Sequence, residues 1–219
     1  MDQKKLSLIL FDFHKVLSQG NFYTPLIDTQ PEVYKKIVET LFFPEGYKLI
    51  SRWMRGELSY KDIHKMIAST VGLTAESLDE ALIESVKKIE LNEKMMTFSQ
   101  EMRSLGIKVA ILTDNMDVFT DFFVPYVGLD KKFDKIFSSA QHKKLKLDNK
   151  SEFIFDAILE MGSQPENTLF IDDCIDNGDF LKEAGGIFYQ YDNYIEGHSK
   201  FIIWFYNNFP FLSHKIYVN

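Results

Sequence analysis

The chain has 219 residues, carries 25 basic against 32 acidic side chains for a net charge of −7, and is 45% apolar. That composition excludes global disorder, and the acidic balance argues against non-specific nucleic-acid binding, which rewards stripes of Lys and Arg. A single cysteine, Cys174, excludes an intramolecular disulfide and any zinc cluster of several thiolates.

The start, MDQKK, runs into an apolar stretch from Leu6 to Phe11 that is too short for a secretory signal. No segment reaches the ~18 apolar residues of a spanning helix, so a cytoplasmic protein with no membrane partner is expected. Leu6 to Asp12 (LSLILFD) is a continuous apolar run closed by a carboxylate, the pattern of a parallel strand covered on both faces. About ninety residues follow that never read as strand. PEVYKKIVETLF, EGYKLISRWM, SYKDIHKMIASTVG and TAESLDEALIESVKK each space apolar residues three or four apart. Pro31 suits a first helical turn, and Ser59 and Thr74 suit N-caps. Residues 17–92 are therefore expected to form an all-helical insertion, leaving 1–16 and 93–219 as the core.

From there strand and helix alternate. A helix over Ser99–Leu105 stops before Gly106, and IKVAIL (107–112) reads as strand. MDVFTDFFVPYVG (116–128) is amphipathic up to Pro125, and KIFS (135–138) is a third strand. SEFIFDAILEMG (151–162) opens on a Ser cap and closes on Gly, followed by the strand TLFID (168–172). NGDFLKEAGG (177–186) is a short helix before the strand GIFYQY (186–191). The aromatic FIIWFYNNFPFL (201–212) reads as a closing helix, or as a partner contact where it spills onto the surface. This alternation predicts an α/β fold, a Rossmann-like, doubly wound parallel sheet interrupted early by the helical segment.

In such sheets ligands bind beyond the carboxyl ends of the strands. The first strand ends in Asp12, the second in Thr113-Asp114-Asn115, and the fourth in Asp172-Asp173. One strand-end Asp is commonly a turn or cap residue. Three ends carrying carboxylates to one crevice repel each other unless a cation sits among them. All-oxygen ligands select a hard cation, Mg²⁺ first.

FDFHKVL (11–17), ILTDN (111–115), SSAQHKKLK (138–146) and LFIDDCIDN (169–177) resemble the four ordered motifs of the haloacid dehalogenase-like (HAD) hydrolases. RGELSYKDI (55–63) is similar to a frequent segment of that superfamily's helical cap. The resemblance implies a Rossmann-like core under a mobile cap, and Mg²⁺-dependent hydrolysis of a small phosphorylated metabolite. It implies Asp12 as nucleophile, forming an aspartyl-phosphate. Thr113, with backbone N–H groups near Asp114 and Asn115, would bind the phosphoryl oxygens. Lys146 would neutralise charge, although Lys143, Lys144 and Lys150 crowd the same loop and Leu147 stands where proline is common. Asp12, Asp173 and the backbone carbonyl of His14 would hold the metal, with Asp172 as ligand or orienter.

The departure from the family pattern is His14, where its phosphatases carry a second aspartate that serves as general acid and base. Three readings compete. His14 itself transfers the proton; or hydrolysis persists slowly, because losing a general acid costs ~10²–10⁴-fold; or the pocket binds a phosphorylated ligand or a partner without turnover. Haloalkanoate dehalogenation ranks lower, since it leaves the Asp172-Asp173 pair unexplained. Cys174, Trp53, Met54, Met66, Met95 and Met96 read as packing residues. His64, His142, His198 and His214 have no metal-ligand spacing and are assigned no role. A monomer or homodimer fits equally.

Overall fold

The computed structural model describes residues 5–43, 46–192, 194 and 196–212. Five parallel strands, β1 (Leu8–Phe11), β2 (Lys108–Thr113), β3 (Lys135–Ser138), β4 (Thr168–Asp172) and β5 (Ile187–Gln190), stand in the order β3-β2-β1-β4-β5. The chain winds outward both ways from β1, so the switch point lies at its carboxyl end. Phe11 is level with Ile111 on one side and Ile171 on the other, which brings the residues that follow all three strands to one edge.

The period of two in β1 feeds two cores. Leu8 and Leu10 face Phe153, Ile154 and Ile158, while Ile9 and Phe11 face the opposite layer with Phe98 and Met102. This is why LSLILFD reads as unbroken apolar sequence: neither face meets water.

Between β1 and the helix α6 lie α1 (Pro25–Thr29), α2 (Pro31–Phe42), α3 (Tyr47–Met54), α4 (Tyr60–Val71) and α5 (Ala75–Lys87). Ser59 accepts from the Asp62 N–H while Asp62 reaches back to the Ser59 N–H, closing a capping box at α4. Thr74 caps α5 through the Ser77 N–H. Pro31 opens α2.

The later helices are α6 (Glu93–Ser104), α7 (Val124–Val127), α8 (Leu129–Lys132), α9 (Ser139–His142), α10 (Glu152–Glu160), α11 (Asp179–Glu183) and α12 (Gly197–Asn208). α6 starts six residues before the expected Ser99, because Asn92 caps it through the Met95 N–H. The amphipathic run after β2 is not one helix. A π-turn, Phe119–Phe123, precedes α7 and sets Phe119 and Phe123 on the same side. Ser151 does not cap α10 with its side chain. It holds φ +62° in a left-handed run with Asn149 and Lys150, and its buried hydroxyl has no partner among the described residues.

The aromatic C-terminal segment does close the core. Phe201 and Phe205 of α12 each meet Phe98 at 4.9 Å, and Tyr189 meets Trp204 at 4.6 Å. No helix among the described residues is long and apolar enough to cross a membrane.

Candidate active site

The strand ends deliver their carboxylates to one place. Asp12 follows β1 and is held there by its N–H donating to the Ile171 carbonyl at 2.9 Å. Asp172 closes β4 and Asp173 follows it; one oxygen from each of the three carboxylates lies within 4.8 Å of the others. Asp12 and Asp172 are buried, so their mutual repulsion is poorly screened. Lys146 answers it. Its ammonium lies 2.7 Å from Asp12 Oδ1 and 2.6 Å from Asp172 Oδ2, itself only 3% exposed. Burial alone would depress this lysine, but Asp12, Asp172 and Asp114 together hold it above its ordinary value, and it stays charged. Burial likewise raises Asp12 above the usual carboxylate range, against the pull of Lys146.

Asp172 is fully engaged. Oδ1 accepts the Cys174 N–H at 2.8 Å, and Oδ2 accepts Asn177 Nδ2 at 2.9 Å as well as Lys146. These bonds hold it in place, whereas Asp173 keeps a partly exposed carboxylate whose one oxygen meets the Lys15 ammonium at 2.9 Å. The cluster suits a hard divalent cation in ligand type and spacing. Two lysines also contend for the same oxygens.

Thr113, at the end of β2, is buried and its hydroxyl has no hydrogen-bond partner among the described residues. Asp114 turns its carboxylate to the Lys146 backbone N–H at 3.0 Å, fixing the loop that carries the lysine. Burial pushes the Asp114 carboxyl up. Asn115 differs from expectation: its N–H donates to Ser139 Oγ at 2.9 Å, so that donor is not free for a phosphoryl oxygen. Of the competing lysines, Lys144 pairs with Glu152 and Asp156 outside the site, and Lys143 and Lys150 make no contact with the three carboxylates.

His14 is exposed, and its backbone bridges to Ser18. Burial of its ring on one side, then Lys15, lower its affinity for a proton. Cys174 is exposed, not packed, and so is Met66. Trp53 is buried and donates from Nε1 to Asp117 at 2.7 Å. His64 is buried within the insertion, between Tyr23 and Asp79. His142 meets the Ser138 carbonyl at 3.0 Å, and His214 lies outside the described residues.

Four residues with a part in the site escaped the sequence reading. Ser139 links the strand end to the insertion, donating to the Met54 carbonyl at 2.7 Å while receiving the Asn115 N–H. Asn177 orients Asp172, Lys15 meets Asp173, and Arg55 grips Asp148 two residues after Lys146 at 2.6 and 3.1 Å. All four sat inside the motifs singled out above. Nothing local marked Arg55 or Lys15 as a partner of residues far along the chain.

A family model described as haloacid dehalogenase-like hydrolase matches residues 6–185. A phosphoserine phosphatase of Archaeoglobus fulgidus is 23% identical over 150 residues, which are 64% of this chain and 42% of that protein. The chain thus spans less than half of that relative. Among solved structures, a predicted HAD-like family hydrolase from Porphyromonas gingivalis matches with TM-score 0.64 and 20% identity, over 90% of this chain and 98% of its own. A HAD family enzyme from Bacteroides thetaiotaomicron, solved with magnesium and inorganic phosphate, matches with TM-score 0.63 and 20% identity over 84% and 93% of the two chains. The L-2-haloacid dehalogenase of Xanthobacter autotrophicus matches with TM-score 0.53 and 17% identity, over 84% and 77%. At such identities these structures speak to the fold.

Proposed function

This chain belongs to the haloacid dehalogenase-like hydrolases, and from that premise we propose that it hydrolyses a small organic phosphate monoester through Asp12. The observation that carries the reading is the Asp12–Asp172–Asp173 cluster bridged by a buried Lys146. Asp12 and Asp173, with the backbone carbonyl of His14, would hold Mg²⁺. When bound, the ion supplies positive charge that draws the phosphoryl group toward the nucleophile and offsets the charge of both.

The chain's own residues do the rest. A carboxylate oxygen of Asp12 attacks phosphorus, the ester P–O bond breaks, and the alcohol leaves with a proton. Lys146 keeps Asp12 aimed and tempers charge on the phosphoryl oxygens. Thr113 offers its unpartnered hydroxyl to one of those oxygens. Water then attacks phosphorus, releasing inorganic phosphate and restoring the Asp12 carboxylate. His14 is the nearby imidazole for proton transfer in place of the family's aspartate. Residues 17–92 act as a cap over the core of 1–16 and 93–219.

A second reading, a phospho-ligand-binding protein with little turnover, draws on the missing carboxylate at position 14 and on Lys15 seated against Asp173. The dehalogenase reading is weaker, because it gives the Asp172-Asp173 pair no task. One assay decides. Wild type, Asp12→Asn, His14→Ala and His14→Asp are compared on a phosphate panel with Mg²⁺ and with EDTA. Asp12→Asn should lose at least ~10³-fold in kcat, and His14→Ala ~10²-fold. Equal rates in wild type and Asp12→Asn would refute the hydrolase. A gain in His14→Asp would favour the second reading.

A further inference from the structure

A cavity of about 470 Å³ lies between the helical insertion and the carboxyl ends of β1 and β2, reaching His14, Asp114 and Asn115 beside Asp12. That volume suits a small ligand. Its walls are mostly apolar. Phe13, Phe119 and Phe123 of the core side pack on one another, with Phe13 at 4.7 and 5.2 Å from the other two. Phe22, Val38 and Ile50 face them from the insertion. Among the described residues, no Lys or Arg lines it.

We infer that the organic part of the substrate is an apolar alcohol or phenol, an alkyl, prenyl or aryl group filling this cavity; the inference rests on the phosphatase reading above. A phosphoryl group held at Asp12 would lie beside the end of the cavity lined by His14, Asp114 and Asn115. A substrate with a second anion there, such as an amino acid carboxylate or a further phosphate, would find no counter-ion. It would also face the Asp114 carboxylate. An unpaired charge taken from water is strongly disfavoured. A sugar fares badly for a related reason. Asn115 Oδ1 is already engaged by the Met116 N–H, which leaves Asn21 and Tyr34 as the neutral polar side chains on a mostly apolar wall. Each sugar hydroxyl left unpaired costs about tenfold in binding. Apolar chain, by contrast, gains from every carbon removed from water. Phe42, 45% exposed at the rim, leaves the outer end open to a longer chain.

The test is a matched series. With Mg²⁺, kcat/KM is measured for ethyl, butyl, hexyl and phenyl phosphates against phosphoserine, glucose 6-phosphate and AMP. The alkyl series should rise about threefold per methylene, and the anionic and sugar esters should fall at least a hundredfold below hexyl phosphate. Val38→Lys, on a half-exposed wall position, should flatten the alkyl series. Phosphoserine or glucose 6-phosphate turned over as fast as hexyl phosphate would overturn the substrate class while leaving the phosphatase intact. Calorimetry with methyl-, butyl- and hexylphosphonate reads the cavity without turnover. Affinity rising with chain length in a protein that hydrolyses nothing would refute the phosphatase and uphold the cavity's chemistry. Affinity independent of chain length would overturn the inference outright.

Discussion

Lys15 holds its backbone at φ +61° while its ammonium rests on Asp173. A left-handed conformation costs a side-chain-bearing residue about 1–2 kcal/mol. Lys15→Gly removes that strain but adds unfolded-chain freedom of similar size, so the melting temperature should barely move. The metal site should respond instead. A half-exposed ion pair contributes under ~1 kcal/mol, so freeing the Asp173 oxygen should tighten Mg²⁺ binding by at most about fivefold in an isothermal titration. Unchanged affinity would mean that Lys15 does not compete for the site. His64 poses a separate residue-scale question. Buried in the insertion, it meets Tyr23 Oη at 2.7 Å and Asp79 at 2.5 Å, with Asp117 and the Tyr60 ring also facing it. Burial lowers its affinity for a proton more than Asp79 raises it. Above pH ~6.5 both folded and unfolded chains keep this histidine neutral, and its contribution is complete. As pH falls below that value the unfolded chain takes up the proton first, and stability drops. Melts of wild type and His64→Gln should therefore differ most near pH 7.5 and converge toward pH 5.5. A gap that widens on acidification would contradict the assignment.

At the scale of elements, the insertion is fastened to the sheet next to the loop of Lys146. Arg55, just after α3, forks onto Asp148, and a Cβ at Gly56 would stand 2.1 Å from the Ala140 carbonyl oxygen of α9. Gly56 also needs its φ of +62°. Gly56→Ala thus meets both a clash and a strained backbone, and should lower stability by about 2–3 kcal/mol. Arg55→Ala removes a part-exposed pair and should cost under ~1 kcal/mol. Its larger effect is on the loop: kcat/KM should fall about tenfold while the melting temperature changes by a few degrees at most. Scanning calorimetry and steady-state rates on both variants separate the two effects. The π-turn at Phe119–Phe123 has a different consequence, since its wider spacing brings two rings onto one cavity wall.

For the whole molecule, the −7 charge is unevenly distributed: three of its carboxylates share a volume that only cations relieve. An ion that binds the fold at a hundred times its Kd adds about 2.7 kcal/mol. For a chain of this length that is ~5–10 °C in melting temperature. Mg²⁺ should give this rise, EDTA should reverse it, and Asp173→Asn should abolish most of it. An equal rise in the variant would locate the ion elsewhere. The strand-end carboxylates were legible because each closes an unbroken apolar run, and the order of strands and helices followed from the switch between periods of two and 3.6. Helix caps were legible where the motif is local, as at Ser59 and Thr74, and misread at Ser151, where the loop around Lys146 imposes a left-handed turn. The sequence by itself determined the parallel sheet, the helical insertion and the set of acidic residues at the strand ends, because periodicity and chain order are local properties. Only the tertiary structure decided that Lys15 reaches Asp173 across 158 positions, that Arg55 grips Asp148 across 93, and that the cavity beside Asp12 is mostly apolar. Those contacts join segments remote in the chain, and their partners exist only once the sheet has closed and the insertion has packed against it.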